Sequence, residues 1–175
     1  MNILTNSKNK TYLSVSLLGK SLKLDIKYRE NPIVEINKKE NKLELFLPKK
    51  YRNIKNVDIV NMAIEKLYDE VAEKEIADCM EEIRIMMGFA PEDYNIKRMN
   101  DTFCKCIRGK VVVVNPDIVR YSRKIIDTTL IQAFCKIKYK EGTKQYKEEL
   151  LKAIEKYENY THKIIEFSKG LRKVS

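Results

Sequence analysis

Residues 94–146, YNIKRMNDTFCKCIRGKVVVVNPDIVRYSRKIIDTTLIQAFCKIKYKEGTKQY, hold the order on which the fold turns. Tyr94 to Met99 and Lys110 to Val114 read as two strands, joined by a loop that carries Cys104-Lys105-Cys106 and Gly109, and the predicted pairing is antiparallel. After Asn115-Pro116 the hydrophobic period becomes helical. Ile126, Leu130, Ile131, Phe134 and Ile137 form one stripe over 122–139, and Tyr146, Leu150, Ile154, Tyr157 and Ile164 form another over 144–168.

Upstream, residues 11–47 alternate apolar and polar side chains. In SLKLDIKY, Leu22, Leu24, Ile26 and Tyr28 fall on one face, the period of a half-buried strand. Four such segments separated by short turns predict two hairpins. From Val57 the spacing lengthens again: Val60, Ile64, Leu67, Val71, Ile76, Met80, Ile83 and Met87 mark a long helix that Gly88 ends. Met80, Met86 and Met87 at this spacing are expected to fill a core rather than line a groove.

The whole is an α+β chain: N-terminal β-hairpins, a long helix, a small antiparallel sheet and two C-terminal helices. At 175 residues it is expected to form a single domain with its core at about 10–168 and flexible ends at 1–9 and 169–175. Only 5 Gly and 4 Pro favour long regular elements over turns.

The net charge of +10 is unevenly placed: residues 57–87 hold nine acids against three basic residues, −6, which leaves +16 on the remainder. That excess favours an acidic partner, nucleic acid among them. Tyr139, Tyr146, Tyr157 and Tyr160 interleave with lysines near the C-terminus, a pattern shared by single-strand binders and by ordinary amphipathic helices. MNILTNSKNK has no apolar core of a secretion signal, and no apolar run approaches the roughly 18 residues of a membrane span, so a cytoplasmic protein with reduced thiols and no membrane partner is expected.

His162 is the single histidine, which excludes any His-Glu-x-x-His zinc helix. The absence matters because residues 96–146 resemble the YgjP-like zinc metallopeptidases, relatives of the SprT-like peptidases. That family shows a basic residue and Met, a Trp-Gly-Ser-Cys segment, a Gly turn, an apolar strand ending in Asn, an Ile-Asp pair, the His-Glu-x-x-His helix and a third His. Here Arg98-Met99, Phe103-Cys104-Lys105-Cys106, Gly109, Val113-Val114-Asn115 and Ile126-Asp127 occupy the corresponding places. The resemblance extends over 10–160 and implies a zincin-like fold. It places the zinc ligands at Gln132, Lys136 and Gly142 and the general base at Ala133, so all four functional groups are replaced.

Hydrolytic zinc sites need neutral imidazoles four residues apart and a carboxylate to take a proton from the metal-bound water. A lysine ammonium repels a dication unless burial lowers its pKa, and alanine offers no base. The leading expectation is therefore a pseudoenzyme without a cofactor. Its former groove, with Lys136, Asn115 and Phe103 as candidate binding residues and the 111–115 strand as its edge, would take an extended peptide or protein segment with an acidic group on Lys136.

Two other readings stand beside it. One is a basic nucleic-acid-associated protein, to which the DNA-linked roles of some SprT-like relatives add. The other is a residual metal-dependent hydrolase with zinc or copper on Cys104, Cys106 and Cys135, three thiols that the family fold would bring toward the cleft. Against the last, Cys104 and Cys106 are expected to point to opposite strand faces, and Cys135 holds an apolar helix position.

Overall fold

Leu18 and Gly19, both at positive φ (50° and 75°), make the turn that folds the first long hairpin. The structure, a computed structural model, describes residues 2–4, 12–52 and 57–171. The chain divides into two compact units, Met1–Glu75 with Pro116–Arg123 and Ile76–Asn115 with Lys124–Ser175. Of the ends expected to be flexible, residues 1, 5–9 and 172–175 lie outside the described residues. Residues 2–4 form a strand, and 169–171 continue the last helix.

The first unit carries a five-stranded sheet: β1 (Asn2–Leu4), β2 (Tyr12–Leu17), β3 (Lys20–Arg29), β4 (Glu35–Lys39) and β5 (Lys42–Pro48), in the order β1-β2-β3-β5-β4. Both predicted hairpins, β2–β3 and β4–β5, are antiparallel, and a parallel pairing of β3 with β5 joins them. Val15, Leu17, Leu22, Leu24, Leu43, Leu45 and Leu47 are buried, as are Val60, Ala63, Ile64, Leu67 and Tyr68 from the first half of helix α1 (Val57–Met87). Burying each of the larger chains contributes about 1.5–3 kcal/mol. The Tyr68 hydroxyl donates to the Ser16 carbonyl at 3.0 Å and ties the helix to β2. Gly19 approaches its neighbours so closely that a Cβ there would lie 2.9 Å from the Ser122 side chain.

On the opposite, solvent-facing side of this sheet, Glu44 is nonetheless only 3% exposed, because three lysine side chains cover it. Lys27, Lys39 and Lys42 hold its carboxylate at 2.8, 2.7 and 2.9 Å. Their hydrogen bonds, first that of Lys27, lower its pKa far below the ordinary 4.5. A depressed carboxylate stabilises the fold fully above the unfolded-state value, and the contribution declines as pH falls below it, where the unfolded chain takes up a proton that the folded one refuses. Thermal melts of the wild type and Glu44→Gln are therefore expected to differ most near neutral pH. The gap should narrow steadily below 4.5; a gap independent of pH would contradict the assignment.

The second unit takes the rest of α1, which buries Ile76, Cys79, Met80, Ile83 and Met86 before Gly88, at φ 74°, closes it with an N–H bond to Arg84 at 2.9 Å. Met80 and Met86 are core residues, and Met87 is half-buried. A three-stranded sheet follows: β6 (Asp93–Ile96), β7 (Cys104–Ile107) and β8 (Val111–Val114), ordered β6-β8-β7.

This sheet corrects the expected antiparallel pair. The segment read as a loop is strand β7, antiparallel to β8, and β6 runs parallel to β8. The cause is local: Arg108 and Gly109 both adopt positive φ (53° and 67°), and the Lys110 N–H bonds the Ile107 carbonyl at 3.0 Å, folding Cys104–Ile107 straight back onto the valines. The uninterrupted Val111–Val114 run suits a strand paired on both sides.

Helices α2 (Arg123–Lys138) and α3 (Lys144–Leu171) complete the unit, burying Ile126, Leu130, Ile131 and Phe134 from one and Tyr146, Ala153 and Tyr157 from the other. Thr143 caps α3, its hydroxyl accepting the Tyr146 N–H at 3.2 Å. With Tyr146 and Tyr157 inside and Lys144 and Lys152 outside, the interleaved rings and lysines of α3 are the two faces of one amphipathic helix. No helix among the described residues is long and apolar enough to cross a membrane.

Candidate functional site

The second unit contains every position that the resemblance marks. Asn115, 5% exposed, donates its side-chain amide to the Met99 carbonyl at 2.7 Å, and its N–H to the Phe103 carbonyl at 2.8 Å. The Arg98-Met99, Phe103 and Asn115 motif pieces are thus a single brace for the 97–103 segment, with Asn115 turned inward and Phe103 partly exposed. Asp127 is also buried, and the Tyr157 hydroxyl donates to its Oδ2 at 2.7 Å, linking α2 to α3. That partnership spans 30 residues, and no sequence spacing announces it.

Along α2, Gln132 is exposed, Ala133 is buried and Lys136 is half-buried, while Gly142 sits in the turn beyond at φ 83° with open space where a side chain would project. Lys136 is the centre of the arrangement. Its Nζ lies 2.7 Å from Oε1 of Glu141 in that same turn. Burial works to strip its proton, but the hydrogen bond and charge of Glu141, assisted by Tyr146 and Cys104, hold its pKa above the ordinary 10.5. Lys136 therefore keeps its positive charge at the position assigned to a metal ligand, and the escape by a lowered pKa is closed.

The three thiols weighed as an alternative metal site are not grouped as one among the described residues. Cys104 and Cys106, expected on opposite faces, share one, as residues two apart on a strand must; both are half-buried, and Lys105 and Ile107 between and beyond them are exposed. Burial pushes Cys104 up to about 12 despite the nearby Lys136 charge, and it raises Cys106 as well. Cys135 is fully buried on α2, and burial followed by the Glu149 charge pushes it up to about 11. All three carry their protons at neutral pH. Among the described residues no group of three or more His, Cys, Asp or Glu side chains is placed to hold a metal ion, Cys104, Cys106 and Cys135 included.

The sheet geometry also moves the expected peptide edge. β8 is central, with β6 and β7 on its two sides, so the 111–115 strand has no edge to offer. β7 does. Because Phe103 and Asn115 exchange a ladder bond, antiparallel alternation turns the main-chain groups of Cys104 and Cys106 away from β8. The Thr102 hydroxyl meets those of Cys104, accepting its N–H at 3.3 Å and donating to its carbonyl at 3.0 Å.

Residues that sequence reasoning passed over are Glu141 and Tyr146, both of which act on Lys136. An acid five residues past a lysine, just beyond a helix end, was the available signal for the first.

The mixed α+β scaffold of the described residues, with three helices and two small sheets, is consistent with a zincin-like metallopeptidase domain. The family described as "YgjP-like, metallopeptidase domain" matches residues 4–166, and the chain belongs to it. No curated protein and no solved structure gives a significant match.

Proposed function

We propose that this chain is a catalytically inactive member of the YgjP-like metallopeptidase family, one that uses the scaffold to bind an extended peptide. The observation that carries this reading is Lys136: a charged ammonium, satisfied by Glu141 at 2.7 Å, where a zinc peptidase needs a neutral ligand. Ala133 supplies no base beside it. The peptide adds to the free edge of β7, replacing the Thr102 hydroxyl at Cys104 and pairing with Cys106, and an acidic side chain or terminal carboxylate takes Glu141's place on Lys136.

Elemental mass spectrometry and peptidase assays on the purified protein are expected to find no stoichiometric metal and no hydrolysis that a chelator abolishes; chelator-sensitive hydrolysis overturns the proposal. For binding, the probe is a set of extended peptides with and without acidic residues, read by fluorescence anisotropy. Lys136→Gln should weaken the acidic peptides about tenfold, or 1.4 kcal/mol, and Glu141→Gln, which frees Lys136, should tighten them. Equal affinity in both variants would remove Lys136 as the anchor.

A further inference from the structure

The outward face of the five-stranded sheet has no part in that site. The registers of β3, β5 and β4 align its side chains in rows across the strands: Lys23, Lys42 and Lys39 in one, Asp25, Glu44 and Asn37 in the next, Lys27, Phe46 and Glu35 in the third. Arg29 continues the third row's side of β3, its guanidinium 4.9 Å from the Phe46 ring centroid and held there by Glu35 at 2.6 Å. Lys27 approaches the same ring at 5.7 Å.

One lysine is enough to neutralise Glu44, and three converge on it. The second and third add mutual repulsion, and their side chains, 57% exposed for Lys39 and 41% for Lys42, keep their charge in contact with water. With Lys23 and Arg29 the face holds five cations against Asp25, Glu35 and Glu44, an excess that surface ion pairing does not require for stability. A sheet face with cations around one ring and one guanidinium plane suits unstacked bases, which lie on such planes while lysines meet the phosphates. A duplex would demand an element that enters a groove, and this face presents none.

We propose that this sheet face docks single-stranded nucleic acid, with Lys23, Lys27, Lys39 and Lys42 on the phosphates and Phe46 with Arg29 as the stacking platform. The test is fluorescence anisotropy of the full chain with a labelled single-stranded RNA oligonucleotide, titrated between about 50 and 200 mM salt. Binding is expected at low salt. Lys23→Gln/Lys27→Gln, which leaves Lys39 and Lys42 on Glu44, should lower affinity about tenfold and flatten the log–log salt slope by about 1.4, at roughly 0.7 per phosphate contact. Phe46→Leu should weaken binding several-fold with the slope unchanged.

Lys144→Gln/Lys152→Gln, on the wet face of α3, is the control and should change little. A thermal melt accompanies each variant, and Lys23→Gln alone carries the test if the double variant melts early. No binding at low salt, an equal loss in the α3 control, or competition by duplex or poly-glutamate as strong as by single strand would each overturn the proposal.

Discussion

Replacing Asp127 by alanine is expected to cost about 3 kcal/mol of stability, the combined effect of an opened space and the loss of the buried bond from the Tyr157 hydroxyl. For a chain of this size that lowers the melting temperature by about 6–12 °C. The carboxylate is 2% exposed, and the Tyr157 hydroxyl donates to it at 2.7 Å from the neighbouring helix. A double-mutant cycle with Asp127→Ala and Tyr157→Phe isolates the contact, since each change removes one partner of the bond; a coupling of about 1 kcal/mol or more is expected. Additive effects would mean that Asp127 is retained for another reason. The result bears on function, because Ile126-Asp127 is one of the pieces that carry the family resemblance in this chain. A measured coupling would assign Asp127 a structural duty in joining α2 to α3.

The second large effect is a gain. Gln132→His/Lys136→His places two imidazoles four residues apart on one face of α2, removes the ammonium, and releases the Glu141 carboxylate as a further oxygen donor. The double variant is expected to take up about one equivalent of zinc where the wild type takes up none, and cobalt substitution should give the visible absorption of a protein-bound ion. Hydrolysis is not expected to return with it. Position 133 is 3% exposed, so a glutamate introduced there is costly to bury and poorly placed to meet water. A folded double variant with no more zinc than the wild type would show that this face of α2 is not where the family's ligands stand.

How far the sequence could be read depended on how local each feature is. The β2–β3 and β4–β5 hairpins and α1 were legible because alternation and helical spacing are properties of neighbouring residues, and Gly88 stops the helix by its own backbone. β7 was not, since four residues of Cys-Lys-Cys-Ile carry little strand signal until the Arg108–Gly109 turn lays them against the valines. The parallel partners, β3 with β5 and β6 with β8, were equally hidden: each joins segments whose connection is too long for a turn to dictate.

The candidate site divides in the same way. That no His-Glu-x-x-His helix is present follows from a count of one histidine. The state of the replacement does not, because the charge on Lys136 depends on a contest between burial and Glu141 that only the folded chain sets. Composition, spacing and residue type by themselves determined the α+β class, the two hairpins, the helices and the family. Tertiary structure alone decided that β8 is central and β7 an edge strand, that Asp127 accepts from Tyr157, and that Lys136 stays charged. The reason is physical: periodicity is written between neighbours along the chain, whereas strand pairing, exclusion of water and the balance of charges depend on groups brought together from far apart in it.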